Sequence, residues 1–276
     1  MLPADNHVHS QWSYDTGEHA SMLATCAKAV GLGLPSVAFT EHVDASRAEP
    51  GDGLEARDLA WKPWHQLQPL DVEGYLASIA ECRGRYPGLR ILTGIEAGEP
   101  HLFGSTAARL LATGQFDRVL GSLHLAPIDG ELVEGGQALR RYGPGRVAEV
   151  IRAYLGEVVR LIEGSDVFEV LAHLDYPRRY LPAGSAPYRE QDYEPEYRAV
   201  LNALAASGRV LEINTQSPLA SVELLGWWRD QGGRAVSFGS DAHVPWRVGE
   251  HFELAMDVVE AAGFGPGRTA FDYWTR

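Results

Sequence analysis

The chain has 276 residues, 45% hydrophobic and 22% charged, a globular composition that excludes a disordered or fibrous protein. Lys and Arg number 24 against 37 Asp and Glu, a formal net charge of −13, which disfavours nucleic acid and anionic membrane surfaces as partners. Two cysteines, Cys26 and Cys82, both in Ala-rich helix-like stretches, exclude a disulfide framework or a cysteine metal site and read as reduced, partly buried thiols.

The opening MLPADNHVHS lacks the basic segment followed by an apolar run that marks a signal peptide, and no apolar run approaches about 18 residues, so a cytoplasmic protein without a membrane span is expected. In chain order, a first strand ends near His7, and residues 19–34 (HASMLATCAKAVGLGL) form a helix with Gly near its end. LPSVAFTEH (34–42) reads as the second strand. Residues 44–71, rich in Pro, Gly and charge, form a long loop of the kind used as a lid. A helix over 72–86 sets Tyr75, Leu76, Ile79 and Cys82 on one face, and LRILTGIEAG (89–98) and FDRVLGSLH (116–124) are strands. The clearest helix is 145–164, with Val147, Val150, Ile151, Tyr154, Leu155, Val158, Val159 and Ile162 at helical spacing. Strands at 166–175, 209–217 and 234–243 then alternate with helices at 195–208, 223–233 and 252–264, and 181–196 forms a second long loop.

The strand segments are mostly continuous apolar runs, the pattern of strands buried on both faces of a parallel sheet. Seven β/α units predict a closed or nearly closed barrel, one domain over residues 1–276. An open doubly wound sheet is the alternative, but no G-x-G-x-x-G turn follows the first strand.

Six of the ten histidines, His7, His9, His42, His124, His173 and His243, fall within or just after the C-terminal ends of these strands, alongside Asp5, Asp15, Glu41, Glu96, Asp175 and Asp241. Barrel active sites are built at that rim from several strand ends. Imidazole and carboxylate are the usual ligands of Zn, Mn and Fe. Two residues apart on a strand, His7 and His9 share a face, and a carboxylate such as Glu96 can join two ions through its two oxygens. The donors exceed what one ion needs, which predicts more than one divalent metal. His19, His65, His101 and His251 fall in helices or loops and read as surface residues, with His65 and His101 the best placed to approach the site from a loop.

These residues resemble the motifs of the polymerase and histidinol phosphatase (PHP) family, in its histidinol-phosphatase-like branch. Asp5-Asn6-His7-Val8-His9-Ser10 is similar to the first motif, continued by Ser13 and Asp15-Thr16-Gly17. Thr40-Glu41-His42, Gly94-Ile95-Glu96, Gly121-Ser122-Leu123-His124, Ala172-His173-Leu174-Asp175 and Gly239-Ser240-Asp241-Ala242-His243 complete the set. The resemblance implies a distorted (β/α)7 TIM-like barrel. It implies one metal held by His7, His9, Glu96 and Asp241, a second by Glu96, His124 and His173, and a third by Asp15, His42 and His243, with His42, Asp241 and His243 also engaged in the chemical step. The implied reaction is hydrolysis of a small phosphate monoester such as L-histidinol phosphate by metal-activated water.

An anionic substrate also calls for arginine, and Arg178, Arg179 and Arg247 follow the late motifs closely enough to reach the rim. After Glu212-Ile213-Asn214-Thr215 the family usually continues to an arginine, whereas this chain reads Gln216-Ser217-Pro218-Leu219-Ala220-Ser221. Trp12, Tyr14, Trp61, Trp64, Tyr176 and Trp246 lie in loops near the motifs and are candidates for a wall against an organic leaving group. The competing readings are a phosphoesterase for another metabolite or nucleotide, an amidohydrolase-like enzyme, a nuclease and a non-catalytic metal module. The amidohydrolase lacks its lysine, since Lys28 and Lys62 lie away from strand ends. The nuclease lacks a basic stripe.

Overall fold

The computed structural model describes residues 1–44, 70–216 and 219–276. The loop expected over 44–71, with Trp61, Trp64 and His65, lies outside the described residues except at its ends. Seven strands match the seven expected: β1 (Asp5–Val8), β2 (Ser36–Asp44), β3 (Arg90–Gly98), β4 (Arg118–Ser122), β7 (Val170–Leu171), β8 (Val210–Asn214) and β9 (Ala235–Gly239). They lie side by side in that order and pair in parallel. The sheet curls until the two end strands meet: Val8 bridges Ala242, His9 N–H donates to Ala242 O at 2.9 Å, and Asp241 N–H donates to His7 O at 2.7 Å. Asp5, at the start of β1, accepts from Ser240 N at 2.9 Å and Gly249 N at 3.0 Å and so pins the same seam. The result is the distorted barrel that the alternation predicts.

The helices are α1 (Met22–Leu32), α2 (Val72–Arg85), α3 (Pro100–Leu111), α4 (Gly135–Tyr142), α5 (Val147–Gly164), α6 (Glu194–Ser207), α7 (Val222–Asp230) and α8 (Phe252–Ala261). Ser21 and Asp71 cap α1 and α2 by accepting from Ala24 N and Gly74 N, and Gly33 ends α1 in the left-handed conformation. Cys26 on α1 and Cys82 on α2 are both buried in the core between helices and sheet. In α5, Val150, Ile151, Tyr154, Leu155, Val158 and Ile162 of the expected stripe are buried, Leu161 joins them, and Val147 and Val159 are only partly covered.

Three features lie beyond that reading. Helix α3 was not expected: Pro, Gly, Ser and Thr lower the propensity of PHLFGSTAARLL, and the backbone leaves helical geometry at Phe103 (φ −128°, ψ 28°). Between β4 and β7 the chain adds a hairpin, β5 (Leu125–Ile128) and β6 (Glu131–Glu134), before α4. A short strand, β10 (Trp274–Thr275), pairs antiparallel with β9.

Alternation along each strand sorts the interior into layers. Leu120, Val170, Ala172 and Val210 form a small apolar cluster, with Ala235 and Tyr273 packed against it. Two residues further along their strands, Ser122 and Glu212 are buried polar groups. The apolar floor of the barrel thus gives way to a polar rim at the C-terminal strand ends.

Candidate metal centre

Eight of the nine expected ligands lie in or just beyond a strand's C-terminal end, and Asp15 reaches the rim from the loop between β1 and α1. His42 and Glu96 are direct partners across β2 and β3, and the two-residue spacing of His7 and His9 brings their Nε2 atoms to 3.1 Å. Two of the expected ligands sit on backbone that side-chain-bearing residues rarely adopt, His173 at φ 22° and Asp241 at φ 52°. Strain of this kind persists only where the surroundings impose it, and it collects at functional sites.

Glu96 is the hub. Its Oε1 lies 2.7 Å from His173 Nε2 and 3.4 Å from His124 Nε2. Its Oε2 lies 2.9 Å from His42 Nδ1, 3.4 Å from His9 Nε2 and 3.5 Å from His7 Nε2. Asp241 Oδ1 faces His9 Nε2 at 3.4 Å and His7 Nε2 at 3.6 Å. Asp15 Oδ2 approaches His243 Nε2 at 3.0 Å and His42 Nε2 at 3.3 Å. All nine residues expected from the sequence therefore converge. Donor atoms within 4.8 Å of one another form the groups His7-His9-Asp241, Glu96-His124-His173, His9-His42-His243 and His42-Asp44-His124.

The chemistry of these contacts fits divalent cations. Glu96 Oε2 and His42 Nδ1 are buried and 2.9 Å apart, yet neither has a well-directed hydrogen-bond partner. Lone pairs pointing at a shared volume are costly when buried and are satisfied by a cation placed among them.

Four of the six rings also have a partner for the nitrogen turned away from the cluster, while His173 Nδ1 is buried without one. Ser13 donates its hydroxyl to Glu41 Oε2 at 2.6 Å, so its oxygen accepts from His9 Nδ1 at 2.9 Å. His124 Nδ1 meets Asp44 Oδ1 at 3.1 Å, His7 Nδ1 meets Glu212 Oε1 at 2.7 Å, and His243 Nδ1 meets the main-chain oxygen of Asp241 at 2.9 Å. A proton held at Nδ1 leaves the Nε2 lone pair facing the cluster, the usual way outer carboxylates orient metal-binding imidazoles. Sequence reading missed the orienting roles of Asp44, Glu41 and Glu212.

Electrostatics follow the same division. Burial raises the Glu96 carboxyl, but His7, His42 and His124 outweigh it and hold Glu96 well below the ordinary range. Burial lowers His7, His42 and His124, yet neighbouring carboxylates win and hold all three well above 6.5. His9 goes the other way: burial, then the nearby His42 and His243, push it down to about 3.

The three candidate arginines part company. Arg179 donates to Asp241 Oδ2 at 2.7 Å and lies over the Tyr176 ring, with a side chain 9% exposed. Arg178 pairs with Asp175 at 3.2 Å and Glu190 at 3.1 Å. Arg247 pairs with Glu250 at 2.6 Å on the surface. Among the aromatics, Tyr176 stands against the His173 and His124 rings, with centroids 5.1 and 5.4 Å away, and Tyr14 stands 4.9 Å from His42. Trp12 instead bonds Ser78 on α2, and Trp246 is exposed near His19. His101, expected at the surface, instead turns its side chain inward from α3 against Glu157 of α5, at 2.8 Å, because that carboxylate offers it a buried partner.

Gly239 on β9 shows how tightly the site is built. A Cβ there would collide with Glu212 Oε1 and stand 2.6 Å from His7 Cβ. Gly239→Ala is therefore expected to push His7 and Glu212 apart and to lower the metal content of the purified protein, measured by atomic emission. Unchanged metal content would contradict this account.

A β/α barrel whose C-terminal rim gathers six imidazoles, five of them around a shared glutamate, belongs to the metal-dependent hydrolase class of folds. The chain is a member of the PHP domain family, whose model matches residues 5–216. It is 26% identical over 271 residues to the histidinol-phosphatase of Lactococcus lactis, covering 96% of this chain and 93% of that one. It is 23% identical to a probable histidinol-phosphatase of Clostridium acetobutylicum, covering 95% and 94%. The crystal structure of histidinol phosphate phosphatase from Lactococcus lactis, complexed with Zn, L-histidinol and phosphate, superimposes with a TM-score of 0.73 at 22% identity, over 99% of this chain and 97% of that one.

Proposed function

We propose that the chain is a metal-dependent phosphoric monoester hydrolase of the histidinol-phosphatase type, converting L-histidinol phosphate and water to L-histidinol and phosphate. The observation that carries this reading is Glu96, whose two oxygens each face a different set of imidazoles at 2.7–3.5 Å. Relatives that match over nearly the full chain and bear the histidinol-phosphatase name support the choice of substrate.

His7, His9, Glu96 and Asp241 would hold one metal, Glu96, His124 and His173 a second, and Asp15, His42 and His243 a third. Zinc, manganese or iron bound there supplies Lewis-acid charge to the phosphoryl oxygens and makes water acidic enough to act as nucleophile near neutral pH. The set of Asp15, His42 and His243 is the open one, with the Asp15 side chain 36% and the His243 side chain 26% exposed, so the phosphate group approaches from that side. Arg179 adds a permanent positive charge beside Asp241 and favours an anionic group there. Tyr176, packed against His124 and His173, offers an apolar wall to the organic part of the substrate. All three arginines pair with carboxylates, but the partner of Arg179 is Asp241, itself one of the proposed ligands, whereas Arg178 and Arg247 pair with Asp175, Glu190 and Glu250 outside the nine, which makes Arg179 the principal candidate of the three. Among the described residues no helix is long and apolar enough to cross a membrane, and a small metabolite processed in the cytoplasm completes the proposal.

The test is a panel of phosphate monoesters, histidinol phosphate included, assayed with Zn or Mn and again after chelation. Histidinol phosphate should give the highest kcat/KM, and chelation should remove turnover. A metal-loaded protein that releases phosphate from none of the panel would end this reading, and preference for a different monoester would redirect it.

A further inference from the structure

Strand β8 supplies none of the nine proposed ligands, yet its inward-facing polar residues grip the ligands of its neighbours. Glu212 and Asn214 alternate on one face of the strand, and Gln216 continues that spacing just beyond it. Glu212 Oε1 accepts from His7 Nδ1 at 2.7 Å, while Oε2 accepts from His173 N at 2.7 Å and from Asn214 Nδ2 at 3.1 Å. Asn214 Nδ2 also reaches Asp241 Oδ2 at 3.3 Å, and Asn214 Oδ1 accepts from Arg179 Nη2 at 3.0 Å. With its amide oriented to match its neighbours, Gln216 donates to the main-chain oxygen of Asp241 at 2.6 Å and accepts from Arg179 Nη1 at 3.2 Å.

We propose that Glu212, Asn214 and Gln216 are positioning residues that hold His7 and Asp241 in metal-binding geometry, with Gln216 clamping the Asp241 backbone to Arg179. The inference rests on the metal-dependent reading of the site. Asp241 needs such a clamp for two reasons. Its backbone is in the left-handed region at φ 52°, a conformation that its surroundings must impose. Its carboxylate must also divide its oxygens. With Oδ2 tied to Arg179 and Asn214, only Oδ1 is left to face His7 and His9. The main-chain oxygen that Gln216 grips also accepts from His243 Nδ1 at 2.9 Å, so the clamp reaches a ligand of the third set. On the other side, Glu212 holds the His7 proton at Nδ1 and so commits Nε2 to the cluster. In this chain the residue two beyond Asn214 thus acts on the phosphate region through Arg179 instead of carrying a charge of its own.

The test uses the full-length protein. Zinc affinity is measured by competition with a chromogenic chelator, imidazole tautomers by long-range proton–nitrogen correlation, and folding of the metal-free chain by circular dichroism. Gln216→Ala should weaken zinc binding about 10–100-fold, the range typical for outer partners of metal ligands, with the metal-free unfolding midpoint unchanged. Gln216→Glu, which keeps an acceptor for Arg179 but loses the donor to Asp241, should weaken zinc as well. Glu212→Gln should weaken zinc and move the His7 Nδ1 proton resonance upfield. Unaltered zinc affinity in both Gln216 variants, or an unmoved His7 resonance in Glu212→Gln, would overturn the proposal. Wild-type chain that binds zinc in this pattern but hydrolyses no monoester would count against the phosphatase reading alone.

Discussion

Glu96→Ala is expected to lower phosphate release by about 10³-fold or more, on the scale set by losing a preorganised electrostatic group and its metal, and to cost the protein more than one metal per chain. In the proposed assignment each other residue serves a single metal. Glu96 serves two, with Oε1 toward His124 and His173 and Oε2 toward His7, His9 and His42. Glu96→Asp should fail nearly as badly, because a side chain one methylene shorter keeps the charge but cannot span both sets. The fold should survive, since β3 keeps its pairing on both sides with β2 and β4 whatever side chain stands at this position. The measurements are phosphate release, metals per chain by atomic emission after dialysis, and circular dichroism. A folded Glu96→Ala protein with wild-type metal content would show that the glutamate does not join the sets.

The convergence of the nine residues was legible because barrel geometry turns a one-dimensional rule into a site. A histidine or carboxylate just past an apolar run is a rim residue, and seven such runs must bring their rims together. The residues that orient those ligands carry no comparable signal. Glu212 is 205 positions from His7, and Asp44 is 80 from His124. Each is a single acid whose role exists only once the strands are adjacent. Adjacent arginines pose the same difficulty: the short 3-10 turn Tyr176–Tyr180 points Arg179 at Asp241 and Arg178 at Glu190, and periodicity alone does not tell them apart. The missed hairpin is a different case. Asp129-Gly130 between β5 and β6 has φ of 55° and 81°, the paired positive values of a type I′ turn, and an Asp-Gly pair of this kind is among the strongest local hairpin signals. The signal was present in LAPIDGELVE and was obscured by the expectation that a helix follows every strand. Helix α3 shows the opposite failure, in which Phe103 and Ala107 are buried in the fold despite weak local propensity.

Metal uptake is expected to release protons and to strengthen steeply as pH rises through neutrality. In the metal-free chain His7, His42 and His124 are held well above 6.5, because burial, which alone would lower them, is outweighed by carboxylates that include Glu212, Asp15, Asp44 and Glu96; His243 is raised too, by Asp15 and Asp241. These rings therefore hold their protons to higher pH than a free imidazole does, and a metal must displace those protons, since only neutral imidazole is a ligand. His9, already pushed down to about 3, contributes none. For two protons displaced, affinity rises about 100-fold per pH unit below the folded-state values. Stability of the metal-free protein runs in the reverse sense. The raised histidines stabilise the fold fully below about pH 6.5 and lose that contribution as pH climbs through their folded values. Glu96 and Asp241, held low against burial by the imidazoles and, for Asp241, first by Arg179, stabilise above about pH 4 and lose their contribution in acid. The gap in Tm between metal-loaded and chelated protein should accordingly widen from pH 6 to pH 8. Titration calorimetry with zinc in two buffers of different ionisation enthalpy measures the proton count directly. Equal heats in both buffers, with affinity independent of pH, would mean that the rings are already neutral and that the carboxylates around them do not set their charge.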